Sequence, residues 1–234
     1  MHILLTRPEF DSRALAGVLG GMGIKTTTAP LLEIIYEDGP KLDLAGVQAL
    51  LFTSANGVRA FANRSDEKNI LSLAVGDATA RELEQNGFIK IKSAEGDVFA
   101  LSQLAKDMLD PSGGELFHGA GTHLAGDLEG MLVKAGFKYR RQVLYRAKTP
   151  DTFPANGAGA INDGLIDGVL FYSPRTAKTF VALIKKAGLE NKLSHISAYC
   201  LSDGVKKMVE TLGWREIKVA KTPEQQALLA LIGN

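Results

Sequence analysis

The sequence predicts an α/β protein of two lobes, each built on a parallel sheet with helices on both faces. Short apolar runs alternate with amphipathic stretches along the chain, which is typical of strands connected by helices. Units of this kind also occur twice: LFTSANGV at 51–58 is similar to LFYSPRTA at 170–177, and GFIKIKSA at 87–94 to GWREIKVA at 213–220. The duplication favours two similar lobes, and we expect their facing loops to line a cleft.

The first half of the chain begins with a predicted strand at 3–6, which Arg7-Pro8 ends, and a helix that Asp11 or Ser12 caps. β-Branched residues predict extended structure over 25–36. Strands and helices then alternate at 48–53 (strand), 56–62 (helix), 71–75 (strand), 78–85 (helix), 88–92 (strand) and, after the cap Asp97, a helix through Met108.

The second half begins with a short predicted strand at 115–118, a glycine-containing loop at 119–121 and a helix lined by Leu124 and Leu128. An extended segment at 138–147 follows, and then a loop at 149–159 that is rich in proline, glycine and alanine. The second copy of the repeated unit predicts strands at 168–172, 196–201 and 217–220, each followed by a helix.

The composition excludes several classes of protein. The net charge of +1 gives no bulk field for nucleic acid or an anionic membrane, so neither partner is expected. No apolar run approaches the roughly 20 residues that cross a bilayer, and the N-terminus does not resemble a signal peptide. Cys200 is the only cysteine, so we expect no disulfide and a cytoplasmic protein.

Polar residues gather where the predicted strands end. Ligands of parallel sheets bind beyond the carboxyl ends of the strands, where helix N-termini present N–H groups to carboxylates or phosphates. Candidate binding residues at these positions are Thr6, Arg7, Thr53, Ser54, Asn56, Thr79, Gly119, Ser173, Arg175, Thr176 and Ser202. A simpler explanation stays open for some, because a serine after a strand usually caps a helix, and Arg7 could be an ordinary surface residue.

Metal and nucleotide sites are not expected. His118 and His123 form the only close histidine pair in the sequence, and no Cys or acidic cluster accompanies them. The glycines at 119 and 121 lack the third glycine of a dinucleotide-binding loop, because Leu124 occupies its place. A nucleotide-linked oxidoreductase or transferase is therefore disfavoured, whereas a two-lobed cytoplasmic binding or sensor protein for a small anion remains an alternative.

Taken in order, several motifs resemble the uroporphyrinogen-III synthase family. They are ILLTRP at 3–8, LFTS at 51–54, VGDATA at 75–80, Tyr145-Arg146, and the C-terminal stretch from Cys200 through Trp214 to Leu229. The similarity covers essentially the whole chain. The chain departs from the family at Ser202-Asp203-Gly204-Val205, where many members carry Gly-Pro-Thr-Thr and thus further hydroxyls.

The resemblance implies two α/β domains joined by a two-stranded linker. The first domain would combine residues 1–36 with 165–234, the second would span 46–145, and 37–45 and 146–164 would be linker regions. The residues alone do not choose this pairing over one in which 1–36 joins 46–110. The extended stretches at 26–36 and 139–146 fit two linker strands.

The resemblance also implies a reaction. The family closes hydroxymethylbilane, a linear tetrapyrrole rich in carboxylates, into uroporphyrinogen III, with loss of water and inversion of the last ring, and it uses no cofactor or metal. Tyr145 matches the family tyrosine proposed to protonate the leaving hydroxyl, and a tyrosine hydroxyl keeps its proton at neutral pH. The alternative is that the Tyr145 ring only packs in the linker. We expect the enzyme to be a monomer.

Overall fold

The chain folds into alternating strands and helices, which a computed structural model describes for residues 1–124 and 126–232. The strands, in chain order, are β1 (His2–Leu5), β2 (Lys25–Thr28), β3 (Glu33–Tyr36), β4 (Val47–Phe52), β5 (Leu71–Ala74), β6 (Ile91–Ser93), β7 (Glu115–Gly121), β8 (Lys138–Lys148), β9 (Gly168–Phe171), β10 (Ser197–Cys200) and β11 (Glu216–Val219). The helices are α1 (Glu9–Gly21), α2 (Ala55–Ala62), α3 (Asp77–Gln85), α4 (Val98–Met108), α5 (Leu128–Lys134), α6 (Ala155–Asn162), α7 (Pro174–Lys186), α8 (Asp203–Val209) and α9 (Gln225–Leu229).

The chain divides into two compact units. Unit 1 consists of Met1–Glu33 and Lys148–Asn234, and unit 2 consists of Ile34–Ala147. The chain passes between the units within β3 and again at the end of β8, and these two strands are neighbours in one sheet. Helix α6 lies within the range 146–164 that the resemblance implied to be a linker, and it belongs to unit 1.

Unit 1 contains a five-stranded sheet in the order β11-β10-β9-β1-β2, in which each strand runs parallel to its neighbours. Alternate residues of β1 pack on opposite faces. Leu4 joins an apolar cluster with Phe180 of α7, whereas Ile3 joins a second cluster with Leu15 and Leu19 of α1. Both faces of the sheet are therefore buried under helices, as is typical of parallel sheets.

Unit 2 contains a six-stranded sheet in the order β3-β8-β7-β4-β5-β6. The pairings of β8 with β7, β7 with β4, β4 with β5, and β5 with β6 are parallel. Phe52 of β4 packs edge-on against Phe61 of α2 on one face, and Leu51 packs with Leu132 of α5 on the other. The predicted fold class, mainly parallel sheets flanked by helices, is confirmed.

Two predicted loops differ from the structure: the one at 119–121 throughout, and the one at 149–159 from residue 155 onwards. β7 continues through Gly121, and Gly119 lies buried inside it, where a Cβ would approach the Leu144 side chain to 2.9 Å. Residues 155–162 form α6, in which a Cβ on Gly157 would lie 2.6 Å from Cβ of Ala29. In both places glycine allows close packing instead of a turn, so the tertiary structure overrides the local preference.

Two elements begin more than one residue later than their predicted starts. β6 begins at Ile91 instead of residue 88, and α5 begins at Leu128 instead of near Leu124. The start of α5 is fixed by Asp127, whose carboxylate accepts a hydrogen bond from the Gly130 N–H at 2.8 Å.

Candidate active site

Unit 2 collects polar residues at the carboxyl-terminal edge of its sheet. Because β4, β5 and β7 are parallel, the residues that follow them lie at the same edge. Thr53 and Ser54 follow β4 directly, and Ser54 caps α2 by accepting a hydrogen bond from the Gly57 N–H at 3.1 Å. Tyr145 lies in β8 opposite Gly121, the last residue of β7, and so reaches this edge as well.

The hydroxyls of Ser54 and Tyr145 form a hydrogen-bonded pair, with 2.8 Å between Oγ and Oη. The Tyr145 ring packs over Gly121, since a Cβ there would lie 2.7 Å from Cζ of the ring. Either hydroxyl can donate in this pair, because the Ser54 oxygen keeps a second lone pair after it accepts the Gly57 N–H. When Ser54 donates, the Tyr145 proton is available to a ligand.

A second hydrogen-bonded group begins at Thr53. Its side chain lies on the opposite face of the sheet from that of Ser54, because successive side chains of an extended segment alternate between the two faces. His118 Nε2 lies 3.1 Å from Thr53 Oγ1, and His118 Nδ1 lies 2.6 Å from Oη of Tyr139. Burial, with a smaller contribution from Arg141, lowers the pKa of His118 to about 4, so the imidazole is neutral at neutral pH. Burial also raises the pKa of Tyr139, which keeps its proton.

His118, Tyr139 and Arg141 were not predicted to form a group. The available signal was the alternation of Tyr139 and Arg141 in β8, which puts both side chains on one face. The pairing of β7 with β8 then sets His118 opposite Arg141. Arg141 closes this end of β7, since its Nη2 donates to the carbonyl oxygen of Gly121 at 2.6 Å and to that of Thr122 at 3.2 Å.

A hollow of about 330 Å³ opens beside Thr53. Its walls combine apolar side chains with two carboxylates and are formed by Thr53, Val75, Asp97, Val98, Phe99, Gly126, Asp127 and Met131. Asp97 caps α4, with its Oδ1 2.9 Å from the Phe99 nitrogen. Asp127 caps α5 in the same way. One oxygen of each carboxylate is therefore already engaged by helix N–H groups.

Two other candidates of unit 2 are engaged within the protein. Asn56 Oδ1 accepts a hydrogen bond from Arg59 Nη1 at 3.2 Å, and Arg59 also pairs with the buried carboxylate of Glu82 at 2.7 Å. Thr79 is buried within α3. Asn56 thus sits at the edge of the group, and Thr79 and Gly119 lie beneath it.

The candidates of unit 1 form their own group, at the ends of β1 and β9. Thr6 is fully buried, and its hydroxyl donates to the carbonyl oxygen of Leu170 at 3.0 Å, which ties β1 to β9. Arg7 is half-buried, pairs with Asp11 at 3.2 Å, and lies 4.4 Å above the Tyr172 ring. Burial raises the pKa of Tyr172 to about 12, so this tyrosine is also protonated.

The remaining candidates of unit 1 lie at helix starts. Ser173 caps α7 by accepting a hydrogen bond from the Thr176 N–H at 3.2 Å, and its own hydroxyl donates to Thr176 Oγ1 at 2.9 Å. Arg175 is exposed in the first turn of α7. Ser202 occupies the N-cap position of α8, but its hydroxyl makes no capping bond and is available to a ligand.

Neither a metal cluster nor a membrane span is found in the described residues. Within residues 1–124 and 126–232, no three His, Cys, Asp or Glu side chains converge as metal ligands. No helix in that part of the chain has the length and apolar character needed to cross a bilayer.

Two crystal structures share this fold over nearly the full length of the chain. The uroporphyrinogen-III synthetase of Helicobacter pylori aligns with a TM-score of 0.65 and 19% identity, covering 98% of this chain and 97% of that one. A mutant uroporphyrinogen III synthase of Thermus thermophilus aligns with a TM-score of 0.53 and 15% identity, covering 99% and 97%. At such identities the likeness establishes the fold.

The family is established by the sequence as a whole. No curated protein sequence matches the chain. The family model for uroporphyrinogen-III synthase HemD, however, matches residues 13–230, and this confirms the resemblance of the ordered motifs. The chain therefore belongs to the uroporphyrinogen-III synthase family of tetrapyrrole-forming enzymes.

Proposed function

We propose that this chain cyclises hydroxymethylbilane to uroporphyrinogen III, with loss of water and inversion of the last pyrrole ring. The family match over residues 13–230 carries the proposal. Enzymes of this family are cyclising lyases that act on a tetrapyrrole without a cofactor. The side chains of unit 2 offer the proton donor and the hydrogen-bond donors that this reaction needs.

Tyr145 is our proposed acid for the first step. The bond between the hydroxymethyl carbon and its oxygen breaks, and the oxygen keeps the electron pair, takes the Tyr145 proton and leaves as water. The lone pair of the pyrrole nitrogen stabilises the cation that remains. Ser54, 2.8 Å away, then donates to Tyr145 Oη as negative charge develops there. Loss of a ring-carbon proton after closure restores the aromatic pyrrole and returns a proton to Tyr145.

This acid supplies only part of the rate. A positioned proton donor typically contributes about 10²–10⁴-fold. The electron-rich pyrrole already assists departure of the hydroxyl, so we place the contribution of Tyr145 near the lower end of that range. Inversion of the last ring requires a spiro intermediate to form faster than the two ends of the substrate join directly. Holding the flexible substrate in the conformation that favours this route is a positioning effect, which can lower a reaction barrier by about 7–11 kcal/mol in favourable cases.

Local groups must hold the substrate carboxylates, because the net charge of the chain is only +1. We propose contacts at Thr53, Ser202, Arg7 and Arg175, which lie at strand ends or helix starts. Further contacts are proposed at four helix-start residues that also make hydrogen bonds within the protein: Ser54, Asn56, Ser173 and Thr176. The buried Thr6, Thr79 and Gly119 contribute by shaping the strand ends.

The decisive experiment supplies freshly generated hydroxymethylbilane to the purified protein, oxidises the products and separates the isomers. Accumulation of type III product above an enzyme-free control supports the proposal. Type I product alone, as in the control, overturns it. Tight binding of the bilane without turnover would instead indicate a two-lobed binding protein.

We also propose that the enzyme works as a monomer in the cytoplasm, with neither nucleic acid nor membrane as a partner. The near-neutral charge supports the absence of a nucleic-acid partner. The single cysteine, Cys200, is buried and forms no disulfide, which suits a reducing compartment. Sedimentation of the purified protein and fractionation of cells that express it test these two points.

A further inference from the structure

His118 of β7 is buried between two hydroxyl groups. Only 1% of its surface is exposed, so the imidazole has no direct route to a ligand. Its Nε2 lies 3.1 Å from Thr53 Oγ1 and its Nδ1 lies 2.6 Å from Tyr139 Oη. We infer that His118 is a positioning residue that makes Thr53 a dedicated hydrogen-bond donor to a substrate carboxylate. The identity of that acceptor rests on the proposed function.

The two distances favour one placement of the two protons. An O–H donor typically approaches its acceptor to about 2.7–2.8 Å, whereas N–H···O bonds span about 2.7–3.2 Å. The contact of 2.6 Å therefore fits the Tyr139 hydroxyl donating to Nδ1 of His118. The contact of 3.1 Å fits Nε2–H donating to Thr53 Oγ1. A neutral imidazole carries one ring proton, so these two assignments agree.

The surroundings of Tyr139 favour the same assignment. If Nδ1 of His118 carried the proton, the Tyr139 hydroxyl would need another acceptor for its own hydrogen. Among the side chains of residues 1–124 and 126–232, that of His118 alone is hydrogen-bonded to the Tyr139 hydroxyl. Donation to Nδ1 of His118 is therefore the hydrogen bond that the protein itself offers to the Tyr139 proton.

This placement of the protons determines the role of the Thr53 hydroxyl. Its oxygen accepts the His118 N–H, so its own proton must go to an acceptor other than His118 or Tyr139. Thr53 lines the hollow of about 330 Å³, which gives that proton an open direction. A carboxylated tetrapyrrole offers few kinds of acceptor, because its pyrrole N–H groups are donors. A carboxylate is the acceptor that such a fixed hydroxyl suits best.

The first test measures the tautomer in the unaltered protein. In protein labelled with ¹⁵N-histidine, long-range ¹H–¹⁵N couplings show which ring nitrogen carries the proton, and His118→Gln assigns the signal among the four histidines. We expect the His118 proton on Nε2 at neutral pH. A proton on Nδ1 overturns the inference, because Thr53 would then donate inward. This result is independent of whether the protein makes uroporphyrinogen III.

The second test asks whether His118 acts through Thr53. The side chain of His118→Asn reaches only the Nδ1 position, whereas that of His118→Gln can place an N–H near Nε2. We expect His118→Asn to raise KM roughly tenfold with little change in kcat, and His118→Gln to raise it less. In a Thr53→Val background His118→Asn should add nothing further.

An equal rise of KM for His118→Asn in both backgrounds would show a general structural role and overturn the inference. If His118→Asn fails to fold, the tautomer measurement decides. If the wild-type protein yields only type I product, the proposed function is contradicted. The placement of the proton on Nε2 of His118 would be unaffected by that result, because it is measured without substrate.

Discussion

Tyr145 Oη and Ser54 Oγ lie 2.8 Å apart, although 91 residues separate them in the sequence. The first is in β8, and the second caps α2 directly after β4. β7 lies between these two strands in the sheet and ends in Gly121, which leaves room for the tyrosine ring. The hydroxyl that caps α2 is thus hydrogen-bonded to Tyr145, our proposed proton donor.

Tyr145→Phe should lower kcat roughly 100-fold with a small change in KM. The substitution removes the proton donor while the ring keeps its packing over Gly121. Steady-state rates of type III formation check this prediction. A Tyr145→Phe variant with wild-type kcat would remove Tyr145 from the acid role and leave it a packing residue.

Substitutions of Ser54 should separate its two hydrogen bonds, the one that caps α2 through the Gly57 N–H and the one to Tyr145. Ser54→Asp keeps an acceptor for the Gly57 N–H but has no hydrogen for Tyr145, so we expect near-normal stability and a kcat close to that of Tyr145→Phe. Ser54→Ala loses both contacts, and its free energy of unfolding should fall by about 1 kcal/mol.

Ser173→Ala is the matched control for stability, because Ser173 caps α7 in unit 1 in the same way and its hydroxyl donates to Thr176 instead of a tyrosine. Urea unfolding should give a similar loss, about 1 kcal/mol. Near-wild-type kcat in Ser54→Asp would show that Tyr145 does not depend on a hydrogen from Ser54.

Gly121→Ala should impair catalysis more than stability. The new Cβ would lie 2.7 Å from Cζ and 3.0 Å from Oη of Tyr145, so the ring must shift away from Ser54. The backbone at Gly121 is not in the left-handed region, so alanine fits the strand itself. We expect a tenfold or larger fall in kcat, on the order of the 10² that misplacing a reacting group can cost.

Gly17→Ala is the control for Gly121→Ala, since among the described residues no atom beyond its own stretch of α1 lies within 4 Å of the new Cβ. It should stabilise the helix by about 0.5–1 kcal/mol and leave kcat unchanged. Wild-type kcat in Gly121→Ala would mean that the position of the Tyr145 ring is not critical.

Much of the fold was predictable because local signals agreed with it. Asp97 caps α4 as expected, and the apolar runs at β4, β5, β9 and β10 are strands. The sequence did not reveal that Gly119 continues a strand, because its reason is the Leu144 side chain packed against it. Nor did it reveal the contact of Thr53 with His118, which depends on the order and register of β4 and β7.

The buried His118 should make stability depend on pH in a defined window. Its pKa falls to about 4 in the folded protein, compared with an ordinary value of 6.5. Between these values the unfolded chain binds more protons, so the contribution of His118 is fully present above pH 6.5 and is lost as pH falls towards about 4. Within this window the contribution of His118 to the free energy of unfolding changes by up to about 1.4 kcal/mol per pH unit. Urea unfolding at several pH values measures the free energy of unfolding of the wild type and of His118→Gln. We expect that of the wild type to fall more steeply towards acid pH. Parallel curves would show that His118 is not held neutral in the folded state.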